Sequence, residues 1–174
     1  MVASAAVAIG LASTAPSASA ATSAATRAVS PCTASTLSAK VTGYGEGMSQ
    51  PAAYITVTNT ATQPCSLKGY PSITSAATSQ GPQAISVTNG AVMNAPESKP
   101  RRIVLAPGEQ AWFAVGTGTA FVSPIVTFRR IVFTPSAGGG TLTVRVSLQA
   151  TAPSGKPFPL GVTAYAAGSS PPSV

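Results

Sequence analysis

Histidine and aspartate are absent from the 174 residues, and glutamate occurs three times, as Glu46, Glu97 and Glu109. Without an imidazole there is no Ser–His–Asp relay, and histidine is also missing as a metal ligand. Zinc sites draw on cysteine and histidine, and calcium sites on several carboxylates in one short loop; neither supply is present. Met48 and Met93 are soft donors, but two isolated methionines read as packing residues, so no metal and no cofactor is expected. A Ser–Lys pair built on Lys40, Lys68, Lys99 or Lys156 is singled out by no spacing. Glycoside hydrolysis would have to pair Glu46 with Glu97 or Glu109, all of which read as solvated turn residues. The composition points away from an enzyme.

Charge of either sign is sparse, at 7% of residues against roughly 25% in ordinary soluble domains. Ten Lys and Arg against three Glu still leave a formal net charge of +7, which favours polyanionic partners. The 44% of hydrophobic residues departs from the composition of disordered chains and is enough for a folded core.

Residues 1–26 carry no charge and combine a largely apolar run, Val2 to Leu11, with the small triplet Ala18-Ser19-Ala20. This predicts a signal peptide over 1–20, although no Lys or Arg precedes the run. Ser4, Gly10, Ser13 and Pro16 interrupt it too often for a spanning helix of about 20 apolar residues. No later stretch is long enough, so no membrane span is expected. A secreted, extracellular protein is the reading, associated with the cell wall where its charge finds an anionic polymer. Export and the lack of interleaved aromatics argue against nucleic acid. Residues 21–31 read as a flexible leader, 32–166 as the domain and 167–174 as a mobile tail.

Cys32 and Cys65 are the two cysteines, and an even count in an exported chain points to a disulfide. A lipid-modified Cys32 and two free thiols are the alternatives; Pro31 disfavours the first, because small residues such as Gly or Ala precede a lipidated cysteine.

Apolar residues recur at every second position in short runs, the mark of half-buried strands. Leu37, Ala39 and Val41 alternate with Ser38, Lys40 and Thr42, and Ile55 and Val57 with Thr56 and Thr58. Ile85 and Val87 flank Ser86. In residues 141–149, Leu142, Val144, Val146 and Leu148 face a core and Thr143, Arg145, Ser147 and Gln149 face water, which suits a central strand. Gly138-Gly139-Gly140 predicts a hairpin between it and a strand over 128–134. Ala106-Pro107-Gly108-Glu109-Gln110 predicts a second hairpin, between 103–105 and 111–115. A last strand is expected over 158–165. No window shows a convincing helical period. About eight short strands favour an all-β fold, an immunoglobulin-like antiparallel two-sheet β-sandwich with one disulfide, with a barrel as the alternative.

Parity along these strands exposes Arg102, Arg130 and Arg145 and places Arg101 at a sheet rim. If their strands share a sheet, Arg102, Arg130 and Arg145 make one basic face. Trp112 has parity opposite to Phe113 and Val115 and so points outward if those two face the core, either as an exposed anchor or packed under a loop or against the other sheet.

The segment Ile55-Thr56-Val57-Thr58-Asn59-Thr60, then Cys65-Ser66-Leu67-Lys68-Gly69-Tyr70-Pro71, then Leu105-Ala106-Pro107-Gly108, resembles a family of secreted actinobacterial proteins catalogued as a domain of unknown function. The string Cys-x-Leu-x-Gly-Tyr-Pro is its most specific element, and the likeness covers roughly 32–150. The resemblance implies an exported β-sandwich at the envelope, with no catalytic residues to carry over. Many family members carry a second cysteine pair that is missing here. Together these readings predict a secreted non-catalytic binding or structural module, acting at the cell envelope on an anionic cell-wall polymer or on an extracellular protein. The alternative is an inhibitor of secreted hydrolases presenting residues 89–100.

Overall fold

Short runs with one apolar face bury that face by pairing edge to edge and then stacking face to face. The computed structural model describes residues 28–45, 47, 50–90, 92–93, 95–96, 99–118, 120, 124–151 and 154–169. Among these there is no helix. The strands are β1 (Leu37–Gly45), β2 (Ala52–Asn59), β3 (Cys65–Lys68), β4 (Ser72–Thr78), β5 (Gly81–Gln83), β6 (Ile85–Asn89), β7 (Arg102–Leu105), β8 (Gln110–Thr117), β9 (Ile125–Thr134), β10 (Leu142–Thr151), β11 (Phe158–Val162) and β12 (Ala166–Ala167).

One sheet runs β1-β2-β8-β11-β6, with β12 also paired to β8, and the facing sheet runs β10-β9-β4-β5. Reading β1, β2, β8 and β6 as A, B, E and D, and β4, β5, β9 and β10 as C, C′, F and G, reproduces the immunoglobulin sheets. One departure is β11, inserted between the E and D positions; the β3–β7 ladder is another. β11 is antiparallel to β8 and parallel to β6, so the relative direction of those two strands is kept.

The facing sides supply the core. Phe113 of β8 meets Phe133 of β9 edge to face at 5.0 Å and Tyr165 at 5.5 Å, and Phe128 meets Phe158 at 5.2 Å. Such pairings add about 0.5–1.5 kcal/mol each beyond the apolar area they bury. Ile55, Val57, Ile131, Val144 and Leu148 fill the space between.

Cys32 and Cys65 are joined, with Cα atoms 4.9 Å apart and 33 residues of separation. Closing that loop contributes about 3–4 kcal/mol in the chain-entropy account. The same segment zips onto β3, with Cys32 N donating to Ser66 O at 2.9 Å and Ser66 N to Ser30 O at 2.8 Å. β3 pairs on its other side with β7. After β3, Gly69 adopts a φ of 71° that favours glycine, donates to Arg101 O and accepts from Tyr165 N.

Asn59, at the end of β2, is buried and fully bonded. Its amide nitrogen donates to Leu105 O and Gln63 O, both at 2.9 Å, and its side-chain oxygen accepts from Ala61 N at 3.0 Å. Its backbone bonds Gly108 and Glu109. The Thr-Asn strand end and the Leu-Ala-Pro-Gly turn, 46 residues apart, are thereby one structural unit.

Four expectations are corrected. β7 and β8 do not form a hairpin: β7 pairs with β3 and β8 with β2 and β11, so the Pro-Gly turn carries the chain between sheets. β10 is an edge strand, because alternation reports one buried face and not the number of neighbours. Thr56 is buried, so β2 is covered on both faces. The last long strand stops at Val162, and of the expected tail Ala167 pairs with Ala111 and Gly168 N donates to Gln110 O. The expected signal peptide, residues 21–27 of the leader, and residues 170–174 lie outside the described residues.

Candidate functional site

β9 alternates regularly from Arg130 onward, burying Ile131 and Phe133 against the facing sheet. Strict alternation would then turn Arg129 inward. Instead Arg129 and Arg130 are both exposed, because the register breaks between them and their neighbours. Against β4, the step from Thr78 to Ala77 is matched by Phe128 to Arg130, one residue longer on β9. Against β10, Arg145 to Leu148 is matched by Arg130 to Phe128, one residue longer on β10. This is a β-bulge, a device that re-aims side chains and recurs beside functional sites.

The bulge brings three guanidinium-bearing residues together. Arg145 lies directly across the ladder from Arg130, and Arg130 is also opposite Ala77 of β4. With Arg129 they line an open depression of about 480 Å³, whose other wall is Thr78, Ser79 and Gly81 at the β4–β5 turn. That turn is braced by Thr78 Oγ1, which accepts from Gln80 N and Gln83 Nε2, each at 3.2 Å. Like charges placed directly opposite cost roughly 0.2–1 kcal/mol. Among the described residues the one side-chain carboxylate is Glu109, and it accepts from Ala106 N at 2.8 Å on its own turn. The depression is therefore a cationic surface without a resident counter-charge from a described side chain, and chemically it is suited to holding an anion.

The other expected site residues fall elsewhere. Arg102 is exposed on β7, opposite Lys68 of β3, and its guanidinium donates to Val29 O at 2.7 Å. Its strand belongs to a different ladder from β9 and β10, so the single face of Arg102, Arg130 and Arg145 is not formed; Arg130 and Arg145 are brought together and Arg102 is not. Arg101 and Lys99 edge a smaller depression of about 180 Å³ beside Tyr165 and Ala166.

Trp112 does lie on the side of β8 opposite Phe113, as its parity requires, but it is 3% exposed. Ala52, Ala114, Tyr54, Val92, Ala95 and Ala166 cover it, with the Tyr54 ring edge-on at 6.1 Å. An exposed anchor at Trp112 is thus withdrawn: the outer face of this sheet has its own small core. Val92 contributes to that core from within residues 89–100, the segment expected to protrude as an inhibitory loop. Glu46, Glu97 and Met48 lie outside the described residues, and Met93 is exposed.

Arg129 is the site residue that parity reasoning passes over. The visible signal is the Arg-Arg doublet inside an otherwise alternating strand, since two adjacent residues share the exposed face of a half-buried strand where the pleat is interrupted.

The Cys-x-Leu-x-Gly-Tyr-Pro and Leu-Ala-Pro-Gly strings are accounted for by the disulfide, the Gly69 turn and the Asn59 bonds, all outside the arginine depression. No curated protein and no solved structure matches the chain. Residues 32–166 match the family described as "Domain of unknown function (DUF4232)", and the chain belongs to that family.

Proposed function

We propose that this chain is a secreted, non-catalytic module that attaches to anionic polymer of the cell envelope through the depression lined by Arg129, Arg130 and Arg145. The observation that carries this reading is the bulge, which turns two consecutive arginines to one surface and sets a third across from them. A net charge of +7 adds long-range attraction to the same class of partner. The disulfide is in keeping with an oxidising, extracellular setting. A sequence with no histidine and three glutamates offers little for general acid–base work and much for charge-driven adhesion.

The test is co-sedimentation of the full chain with purified Gram-positive cell walls across a salt series. Retention should fall as salt rises, because screening shortens the reach of each charge. It should fall further on replacing Arg129, Arg130 and Arg145 together with Gln, while the Arg102→Gln variant keeps most of it. Retention that ignores both salt and the triple substitution would refute the proposal.

A further inference from the structure

We infer that the free edge of β6 is a self-association surface, at which Ile85–Asn89 pairs antiparallel with the same strand of a second copy of the chain; this stands independently of the attachment role proposed above.

A strand at the end of a sheet presents unpaired backbone groups, and folded proteins blunt such edges with charge, proline, bulges or cover. At the other sheet ends of this fold that has been done. β1 carries the exposed Lys40 and a bulge between Val41 and Gly43. β10 carries Arg145 and a bulge, and its Ser147 N is taken by the Tyr44 hydroxyl. β5 is three residues long with Pro82 at its centre, β7 begins at the exposed Arg102, and β3 is covered by residues 30–32. β6 has none of these devices. Ile85-Ser86-Val87-Thr88-Asn89 is uncharged, rich in residues that favour strands, and keeps an uninterrupted register with β11.

In a strand both backbone groups of one residue point to one side, and those of the next residue to the other. Ala84 O accepts from Phe158 N and Gly90 N donates to Val162 O, so Ser86 and Thr88, which share their parity, also face β11. The backbone groups of Ile85, Val87 and Asn89 therefore face the free side, where no described strand pairs with them. Their side chains share the face of the sheet on which Phe158, Leu160 and Val162 of β11 are buried. Ile85 packs against the core, but Val87 is exposed. An apolar side chain on the core side of a sheet without cover is what a missing neighbouring strand leaves.

Charge decides what that neighbour is. Residues 69–96 contain no Asp, Glu, Lys or Arg, in a chain of net charge +7. A two-fold contact sets one patch against itself, so a cationic patch would meet its own cations. The β6 edge escapes this, and two copies can meet there. Antiparallel pairing centred on Val87 sets Val87 against Val87, Ile85 against Asn89 and Ser86 against Thr88 across the axis. Lys156, close to the Ile85 end of the ladder, is then carried to the far end of the joint from its counterpart. The two-fold axis of such a joint stands perpendicular to the sheet, so both arginine depressions lie on one side of the dimer. A ladder of five residues is short, which makes the dimer transient and concentration-dependent.

The test is sedimentation velocity of the full chain from about 10 µM to about 1 mM, at low and at high salt. A monomer–dimer equilibrium should appear over this range and tighten as salt rises, because screening weakens the repulsion between two copies of charge +7. Polyanion attachment responds to salt in the opposite sense. Val87→Lys and Val87→Glu each set like charges opposite one another and should weaken association about tenfold. An equimolar mixture of the two should restore it, since opposite charges then face across the axis. Val87→Pro, which deletes an N–H on the free side and spares the β11 ladder, should weaken it likewise. In dilute solution Val87→Lys should keep the parent melting temperature within a few degrees, because Val87 is exposed. A monomer at every concentration and salt, association that weakens as salt rises, or association that survives all three substitutions would each overturn the inference. Loss in both charged variants without recovery in their mixture would overturn the pairing at Val87.

Discussion

Asn59 and Tyr165 show how single residues carry this fold. The Asn59 side chain satisfies Leu105 O, Gln63 O and Ala61 N at once, and its bond to Leu105 O is buried. Asn59→Ala orphans these groups, at about 1–3 kcal/mol for each one left buried and unpaired. We expect a loss of about 2–4 kcal/mol in denaturant unfolding. Asn59→Asp should not rescue it, because a carboxylate lacks the two donors. Tyr165 is wholly buried between the sheets, with its hydroxyl donating to Pro135 O at 3.4 Å, and burial pushes its phenol above the ordinary range. Above about pH 10 an unfolded tyrosine releases its proton and the folded one keeps it. The native state then holds more protons, so stability falls as pH rises. Tyr165→Phe should flatten that alkaline decline, read as melting temperature against pH from 8 to 12, at a small cost in stability at neutral pH. A decline of equal steepness in the variant would assign it to other groups. Neither role is legible in the sequence: Asn59 looks like an ordinary strand end, and Tyr165 like the close of a strand, because their partners are distant in the chain.

At the scale of elements, what the sequence reveals is the face each strand buries. The alternation in β1, β10 and much of β9 survives residue by residue, and the Gly138-Gly139-Gly140 hairpin forms as its composition predicts. Partners and interruptions are less visible. β7 pairs with β3 because the disulfide and Asn59 hold both in place, and the Pro-Gly turn is compatible with either connection. The bulge at Arg129 depends on the registers of two neighbours, which a single strand does not encode. Trp112 is covered by Val92, Ala95 and Ala166, from segments with no periodicity to read. The hairpin tip offers a test of such contacts. Gly139 O accepts from Ala34 N, and the Ser136 hydroxyl donates to Cys32 O. A Cβ on Gly139 would sit 2.6 Å from Ser136 Oγ and 3.1 Å from Ser136 O. Gly139→Ala should therefore destabilise the domain by about 1–3 kcal/mol, through overpacking and the displaced hydroxyl. A neutral effect in denaturant unfolding would show that the tip is looser than its contacts indicate.

The whole molecule divides its labour between the seams of the sandwich and its surface. Along one seam Ser147 N donates to the Tyr44 hydroxyl at 2.9 Å, tying the β10 edge to β1. The disulfide and the β3–β7 ladder lie with the entry of the chain, and the outer face of the β1-β2-β8-β11-β6 sheet is covered at Trp112. The arginines on the facing sheet are left exposed and contribute nothing to the core. Sequence composition announces a cationic surface but disperses it over ten residues; folding concentrates three of them at one depression. The claim that this depression is where the molecule meets its anionic partner is tested most directly by mapping backbone amide shifts while poly(glycerol phosphate) is added to the full chain. Saturable shifts confined to residues 77–81, 129–130 and 145–146, abolished by high salt, are expected. Shifts centred instead on Lys68, Arg101 and Arg102, or spread evenly over all cationic residues, would contradict the claim.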